Sequence, residues 1–327
     1  MRPMRSMFTT LAPGGDRGRL AILIFHRVLA RPDPLMPDEF DAHRFEAVCG
    51  WLRRWFTVLP LDAAVRRLAQ RSLPERSLSI SFDDGYADNH EVALPILLRH
   101  GFAATFFVST GFLDGGRMWN DSVIEAVRRT PHDLLDLRDV EAPLLGAYPV
   151  RDLEDKRRAV TAIIDAVKYL PQPRRAAVID ILAERCGAAL PDHLMMRSEQ
   201  VLALRRAGMQ IGGHTVTHPI LAELPADQAR AEIGEGKRRL EALLGESVSL
   251  FAYPNGLPDR DFTARTAAMV REAGFEAAFT TAWGAARTGS DLLQLPRFTP
   301  WDRTPLRFGM RLAHSLGVSR HGAPVAA

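Results

Sequence analysis

Short apolar runs alternate with segments of helical periodicity along the chain. The runs are rich in branched and aromatic side chains, which is typical of strands buried on both faces of a parallel sheet. The predicted strands cover residues 20–25, 56–59, 78–82, 103–108, 209–213, 249–253 and 277–281. The predicted helices cover residues 45–55, 61–70, 89–100, 198–207, 226–244 and 262–273. This alternation predicts repeated βα units.

Residues 111–197 interrupt the alternation. The segment is longer than an ordinary βα connection, and it contains two further helical patterns at residues 153–170 and 173–186. It is therefore predicted to hold a helical insertion, residues 112–197, that serves as a lid or a partner surface. A last amphipathic pattern, at residues 306–316, predicts a C-terminal helix.

Ionisable side chains follow two of the predicted strands. Asp83 and Asp84 come directly after the strand at 78–82, and His214 and His218 follow a strand that ends in two glycines. Imidazole nitrogen and carboxylate oxygen are ligands of zinc, and a catalytic site keeps one coordination position open. Asp84, His214 and His218 are therefore predicted to bind one divalent ion. Zn²⁺ is the expected ion, with Co²⁺, Ni²⁺ or Fe²⁺ as alternatives.

The second carboxylate, Asp83, is left free by this assignment. A metal ion lowers the pKa of a water ligand from about 16 to roughly 7, and an ionised carboxylate beside it can take the proton. Asp83 is therefore the predicted general base. Asp-Asp-Gly and His-x₃-His are each common by themselves, but together at two strand ends they predict a catalytic metal site.

Three sequence blocks resemble the motifs of the polysaccharide deacetylase family, also called the NodB-homology or carbohydrate esterase 4 group. Ser-Phe-Asp-Asp-Gly at 81–85 and His-Thr-Val-Thr-His at 214–218 match the first two motifs. Phe-Ala-Tyr-Pro-Asn-Gly at 251–256 resembles the third. Phe-His-Arg-Val at 25–28 is similar to a segment in the branch that acts on exopolysaccharides. The resemblance extends over residues 20–300.

The resemblance implies a deformed (β/α) barrel with seven strands, and hydrolysis of the N-acetyl group of an amino sugar in a polysaccharide precursor or glycan. It implies that Asp83 is the base and that Asp84, His214 and His218 bind the metal. It also implies substrate contacts from Tyr253, Pro254 and Asn255, with a backbone amide near Tyr253 stabilising the oxyanion. The expected organisation is an N-terminal extension at 1–19, the barrel at 20–303 and a C-terminal helix and tail at 304–327.

Two positions depart from the family pattern. Ala252 stands where the family often has an arginine that orients the catalytic aspartate. A late motif that often ends in a histidine, the general acid, reads Leu-Pro-Arg-Phe in this chain. Because a guanidinium group pairs readily with a carboxylate, Arg297 is predicted to supply the missing cation to Asp83. His26, at the end of the first predicted strand, is the predicted general acid.

Aromatic and polar side chains near other strand ends are candidate sugar contacts. Trp119 and Asp121 follow the strand at 103–108 and combine a ring for stacking with a polar group. Packing of the inserted helices is an equally weighted interpretation of Trp119. Trp283 follows the strand at 277–281 and is predicted to line the acetyl pocket.

Composition narrows the function classes. The chain has 42 basic and 39 acidic residues, a net charge of +3. It contains no basic run with interleaved aromatic residues, so nucleic-acid binding is not predicted. Cys49 and Cys186 are too few for a disulfide framework, so reduced thiols are expected.

No secretion signal is evident, which predicts a cytoplasmic enzyme acting on a soluble or carrier-linked precursor. For the helix at 306–316, contact with a membrane surface or lipid carrier is a second interpretation.

Two other functions stay open from the sequence. Removal of a formyl group from a lipid-linked formamido sugar requires the same site with a smaller acyl pocket. A catalytically silent sugar-binding module would have the fold and the metal ligands without turnover. The presence of Asp83 favours an enzyme, because a binding module has no need of a free carboxylate beside the metal.

Overall fold

The computed structural model describes residues 2–140 and 145–317 and divides them into two compact units. The barrel unit comprises the described residues of Met1–Arg31, Phe40–Leu113 and Met196–Ala327. The helical unit comprises those of Pro32–Glu39 and Asp114–Met195. Residues 318–327, part of the predicted C-terminal helix and tail, lie outside the described residues.

Each predicted strand and helix corresponds to an observed element, with shifts of a few residues at the ends. The strands are β1 (Arg19–Phe25), β2 (Thr57–Val58), β3 (Ser77–Phe82), β4 (Thr105–Val108), β5 (Leu134–Asp136), β6 (Ala147–Pro149), β7 (Gln210–Gly213), β8 (Leu250–Ala252), β9 (Ala277–Trp283), β10 (Ala286–Arg287) and β11 (Leu295–Arg297). The helices are α1 (Arg2–Leu11), α2 (Ala42–Trp55), α3 (Leu61–Ala69), α4 (Leu94–His100), α5 (Trp119–Arg129), α6 (Leu153–Val167), α7 (Gln172–Arg185), α8 (Ser198–Arg206), α9 (Ala226–Leu244), α10 (Ala264–Glu272) and α11 (Pro305–Gly317).

Seven parallel strands in the described part of the barrel unit form a nearly closed ring, which confirms the predicted (β/α) barrel. Two short strands of the same part lie outside this ring, β2 paired with β3 and β10 paired antiparallel with β1. Among the described residues the order is β1, β3, β4, β7, β8, β9 and β11, and each neighbouring pair is parallel. The ring closes where Phe298, directly after β11, bridges Leu23 of β1. Phe298 donates to the Ile22 carbonyl at 2.8 Å and accepts from the Ile24 N–H at 3.1 Å. The carboxyl ends of these strands therefore form one rim.

The interior of the barrel is filled by side chains. Phe107 of β4 and Phe279 of β9 are separated by two intervening strands, β7 and β8, yet their ring centroids are 5.4 Å apart. Gly212 on β7, between them, leaves room for this contact, because a Cβ there would lie 2.4 Å from the Phe107 ring. The interior is therefore a packed core below the rim, and only the rim is open to chemistry.

The sequence reasoning did not predict α1, which the structure adds to the barrel unit. Phe8 is fully buried, and its ring centroid lies 4.4 Å from that of Phe56. Met4, Met7 and Leu11 pack against the same core. This spacing is the helical pattern that could have predicted the element.

The helical unit has a hydrophobic core of its own. Val123 of α5, Ile163 of α6 and Leu182 of α7 are fully buried in one cluster. The predicted helices at 153–170 and 173–186 correspond to α6 and α7, whereas α5 and the antiparallel β5–β6 pair were not predicted. Because most of this core comes from residues far apart in sequence, the local patterns did not reveal it.

The C-terminal helix α11 packs on the barrel through one face. Phe308 and Leu312 are fully buried in the main core. Arg19, the first residue of β1, donates from Nη1 to the carbonyls of Leu11 and Leu316, in the last turns of α1 and α11. Helix ends leave such carbonyls without intrahelical partners, so one arginine satisfies both helices. Among residues 2–140 and 145–317, no helix is both long and apolar enough to span a membrane.

Helix α9 approaches the loop after β7 closely. A Cβ at Gly236 would lie 2.9 Å from the carbonyl carbon and oxygen of Thr215. Gly234, two residues earlier on the same helix, has open space around it, with no heavy atom within 4 Å of a Cβ. Only one of these two glycines is therefore required for packing.

Replacing the two glycines separately tests this contact. Gly236→Ala should lower the free energy of unfolding by roughly 1–3 kcal/mol, because the added methyl group meets backbone that cannot move aside. Gly234→Ala should be neutral or stabilise by up to about 1 kcal/mol, because alanine favours a helix over glycine. Urea unfolding of both variants provides the comparison. Equal stability of the two variants would contradict the close packing of α9 on this loop.

Candidate metal centre and active site

Three predicted metal ligands meet at the rim of the barrel. Asp84 follows β3, and His214 and His218 follow β7. One ligand atom from each lies within 4.8 Å of the others. The Asp84 Oδ1 atom is 3.3 Å from Nε2 of both histidines. Asp84 and His214 are buried, and His218 is partly exposed, so the cluster is open on one side.

The donor atoms fit a divalent metal ion. Asp84 Oδ1 is buried and has no hydrogen-bond partner among the described residues. His214 Nδ1 lies 2.7 Å from the Ala252 carbonyl, which can only accept a hydrogen bond. Nδ1 therefore carries the proton, and the Nε2 lone pair faces Asp84. A carbonyl that fixes the tautomer of a ligating histidine is typical of metal sites.

The electrostatics of the cluster also favour a cation. Burial raises the pKa of the Asp84 carboxyl, but electrostatic interactions with His218 and His214 outweigh it and hold the pKa well below its usual value. Burial lowers the pKa of His218 to about 4, so this imidazole is neutral at pH 7. For His214, burial is outweighed by Asp83 and Asp84, and the pKa is raised. The negative field that holds this proton also attracts a metal ion, whose binding would displace it.

Backbone strain is concentrated in the two motifs. Asp84, Thr215 and His218 have φ angles of 76°, 65° and 54°, in the left-handed region. This region is unfavourable for residues other than glycine, and Thr215 is β-branched, which makes it a pronounced outlier. Strained residues of this kind cluster at functional sites, where the surrounding structure enforces them. In these conformations the side chains of Asp84, His214 and His218 converge on one cluster.

Hydrogen bonds to two residues that the sequence did not identify, Glu232 and Ser109, hold the strained loops. Glu232 of α9 accepts hydrogen bonds from the N–H groups of Val216 and Thr217 at 2.9 and 2.8 Å. Ser109 donates to the His214 carbonyl at 2.8 Å. Its N–H donates to the Asp84 carbonyl at 3.2 Å. Both residues lie far from the motifs in sequence, and neither belongs to a pattern that could have identified it.

Asp83 forms a bidentate ion pair with Arg297. Nη1 and Nη2 of the guanidinium donate to the two carboxylate oxygens, each at 2.6 Å. Arg297 is itself fixed, because Nε donates to the Thr280 carbonyl at 3.0 Å and Nη1 lies 3.3 Å from the Ser81 hydroxyl. Both charged groups are almost fully buried. The structure thus contains the contact that the sequence analysis expected from Arg297.

This pairing keeps Asp83 ionised beside the metal ligands. Burial raises the pKa of the carboxyl, but the charges of Arg297, His214 and His26 and the Arg297 hydrogen bonds outweigh it, so the pKa lies below its ordinary value. One carboxylate oxygen lies 4.0 Å from His214 Nε2. Asp83 is therefore a negatively charged group directly next to the metal ligands and does not belong to the cluster itself.

His26 lies at the end of β1, on the same rim. Its side chain is exposed, unlike the ligands. Asn89 donates to its carbonyl at 2.8 Å, and Asp88 accepts from the Val28 N–H at 2.9 Å. The loop after the Asp-Asp-Gly motif therefore braces the loop that carries His26.

The structure corrects the predicted substrate role of Tyr253. The side chain is fully buried, its ring stacks on Phe262 with centroids 3.8 Å apart, and its hydroxyl donates to the Leu293 carbonyl at 2.9 Å. Its N–H donates to the Phe279 carbonyl at 3.1 Å, which excludes it as an oxyanion donor. Side chains alternate along a strand, so Tyr253 points away from the side that Ala252 faces.

The neighbouring residues of the third motif form a tight turn at the rim. Pro254 is buried, and its carbonyl accepts from the Gly256 N–H at 2.6 Å. Asn255 is partly exposed, with φ of 58°, and its carbonyl accepts from the Thr281 hydroxyl at 2.6 Å. Of the three predicted contacts in this motif, Asn255 is the one whose side chain is accessible.

The predicted tryptophan contacts lie in packed surroundings. Trp283 is partly buried, and its ring lies 4.9 Å from that of His314 on α11 and 6.4 Å from that of Phe298. Trp119, in the helical unit, packs on the core of that unit with the Arg175 guanidinium 4.8 Å from its ring centroid. Asp121, on the same helix, is buried. Sugar contacts by these residues stay predictions.

The sequence is similar to those of known proteins over the region that contains these motifs. The sequence model of the polysaccharide deacetylase family matches residues 70–135 and 155–278, more than half of the chain. YxkH of Bacillus subtilis (strain 168), which carries the name of that family, is 20% identical over 282 residues, covering 85% of this chain and 70% of that protein. The match to the family model includes both motifs that contain the predicted metal ligands. His26 and Arg297 lie outside it, so the evidence for them is geometric.

Solved structures share the fold. The Streptococcus pyogenes deacetylase PplD, solved with acetate, superposes with a TM-score of 0.61 at 18% identity, covering 92% of this chain and 99% of that one. IcaB from Ammonifex degensii superposes with a TM-score of 0.59 at 20% identity, covering 93% and 99%. Identities this low establish the fold alone, and the sequence match establishes the family. The chain belongs to the polysaccharide deacetylase family.

Proposed function

We propose that this protein hydrolyses the N-acetyl group of an amino sugar, in a polysaccharide or its precursor, with one divalent metal ion. The observation that carries the proposal is the bidentate pairing of Asp83 with Arg297, which holds a carboxylate oxygen 4.0 Å from Nε2 of His214 in the predicted metal-ligand cluster. A sugar-binding module has no use for a buried base that needs a buried partner. The same arrangement provides the base that amide hydrolysis by water requires.

The metal ion would be held by Asp84, His214 and His218. When bound, such an ion supplies Lewis-acid chemistry, because it acidifies a coordinated water and polarises the acyl carbonyl. Asp83 takes the proton of the attacking water through a carboxylate oxygen. Arg297 prevents the carboxylate from rotating, since both of its oxygens are already oriented by the guanidinium fork.

Two further groups complete the proposed reaction. The oxyanion requires a donor on the third-motif loop, and the Tyr253 N–H is used within the sheet. Pro254 has no N–H, so the Asn255 N–H is the next along the chain and is the proposed donor. The departing amine must be protonated, and His26, exposed on the rim, is the proposed general acid.

The proposed reaction is tested by product analysis on a panel of N-acetyl and N-formyl amino sugars, soluble and lipid-linked. Wild-type protein should release acetate, and Asp83→Asn should reduce turnover about 10²- to 10⁴-fold while keeping its metal, because an amide cannot accept the proton. Formate release from a lipid-linked sugar alone would identify a deformylase. Sugar binding without turnover across the panel would identify a binding module and overturn the proposal.

The metal assignment has a direct test. Purified protein should contain close to one equivalent of divalent metal, and His214→Ala should lose it, because the remaining two ligands bind a divalent ion far more weakly. His43→Ala, an exposed histidine on α2, is the control and should keep the metal. Elemental analysis of the three proteins decides the question. Full occupancy in His214→Ala would contradict the proposed ligand set.

The Arg297 pairing predicts a change in the pH profile. Asp83 acts only when ionised, and Arg297 lowers its pKa, so removing the cation raises the pKa and moves the acidic limb of the activity profile to higher pH. For Arg297→Met we expect a move of about 1 to 3 pH units, with unchanged metal content. Arg297→Lys keeps the charge without the fork, so its acidic limb should move less.

Loss of the buried arginine also leaves a buried carboxylate unpaired, which costs about 3–5 kcal/mol. Circular dichroism must therefore show that each variant is folded before its profile is compared. An unchanged acidic limb in folded Arg297→Met would show that Arg297 does not keep Asp83 ionised.

The predicted cytoplasmic location is a separate expectation from the sequence, and cell fractionation would test it.

A further inference from the structure

Three large apolar side chains are exposed on the segment that leads into α11 and on the first two turns of that helix. Trp301, Leu306 and Met310 have relative exposures of 47%, 63% and 60%. Leu306 and Met310 are four residues apart on α11, so they share one face of the helix. Phe308 and Leu312 on the opposite face are fully buried in the core. The inner face already secures the helix, so packing of the barrel unit does not explain the apolar outer face.

The charges around this apolar patch, defined as Trp301, Leu306 and Met310, are mainly positive. Residues 298–317 contain three arginines and one aspartate. That aspartate, Asp302, pairs with Arg311 at 2.8 Å. Arg303 and Arg307 are exposed to solvent.

Arg44 of α2 adds a further cation at the edge of the patch. It donates to the Trp301 carbonyl at 2.7 Å, and its guanidinium lies over the Phe40 ring. The hydrogen bond fixes the backbone that carries the exposed tryptophan. The patch therefore combines a tryptophan, two aliphatic side chains and a rim of arginines.

We infer that the apolar patch binds the surface of a membrane containing anionic lipids. Exposed apolar side chains flanked by arginines are typical of a helix lying in the interface, where the apolar groups enter the acyl boundary and the cations meet the phosphates. Tryptophan is the residue preferred at headgroup depth. A second copy of the chain is a poorer fit, since a two-fold contact through this patch would bring the arginines of both copies into one interface.

The patch lies near the catalytic rim. β11 ends at Arg297, which contacts Asp83, and Trp301 follows only four residues later. Four residues span at most about 14 Å of extended chain. A membrane bound at Trp301 would therefore lie close to the proposed active site. The inference goes beyond the proposed function, because binding requires neither substrate nor metal.

Vesicle flotation of the purified full-length protein tests this surface. Protein should float with vesicles of phosphatidylcholine and phosphatidylglycerol and not with phosphatidylcholine alone, and raised salt should weaken binding. Leu306→Glu and Met310→Glu should each abolish flotation, because a carboxylate would enter the interface. Arg307→Gln should weaken binding about fivefold, the factor for one basic residue at an anionic surface.

Leu98→Glu is the matched control. Leu98 lies on α4 with 51% exposure, so the substitution makes the same change in charge and polarity outside the patch. This variant should float like the wild type, and thermal unfolding should show all variants to be folded. Absence of flotation by the wild type, or equal loss in Leu98→Glu, would overturn the inference. So would a wild-type dimer that Leu306→Glu converts to a monomer, since a second copy would then cover the patch.

Discussion

The bridge between β1 and the residue after β11 is the constraint on which the site depends. Asp83 and Arg297 are 214 positions apart in sequence. Arg297 lies on β11, at one end of the run of parallel pairs, and Asp83 follows β3, next to β1 at the other end. The bridge of Leu23 with Phe298 joins β1 to the chain directly after β11. An open sheet with the same strands would separate the carboxylate from its cation. Closure of the barrel is therefore a condition for the proposed base as well as for the core.

A gain in the free energy of unfolding does not explain why this ion pair is buried. Removing two charges from water costs free energy that their attraction offsets only with good geometry. Arg297 meets that condition with two 2.6 Å contacts to Asp83 and a third bond to the Thr280 carbonyl. Ala252, where the family pattern often has an arginine, contributes its carbonyl to His214 instead. The cation that contacts Asp83 therefore comes from Arg297 on β11 and not from position 252 on β8.

The sequence predicted those features whose cause is local. Asp83 and Asp84 end an apolar strand, and parallel strands present their carboxyl ends together, so the meeting of these acids with His214 followed from pattern and fold. Tyr253 was misassigned because the direction of a side chain depends on strand parity, which the motif does not reveal. Glu232 could not be identified at all, since its bonds to the His-Thr-Val-Thr-His loop depend on how α9 packs.

The metal-ligand cluster and the fold of its loops are linked energetically. Thr215 and His218 are held in left-handed conformations, each costing on the order of 1–3 kcal/mol, and Asp84 Oδ1 is buried without a hydrogen bond. Glu232 and Ser109 offset part of this cost through hydrogen bonds to both loops. A cation would satisfy the remaining oxygen and both imidazole lone pairs, so its binding free energy would stabilise the same loops. Strain in the motifs and the proposed affinity for a metal ion therefore arise from the same two loops.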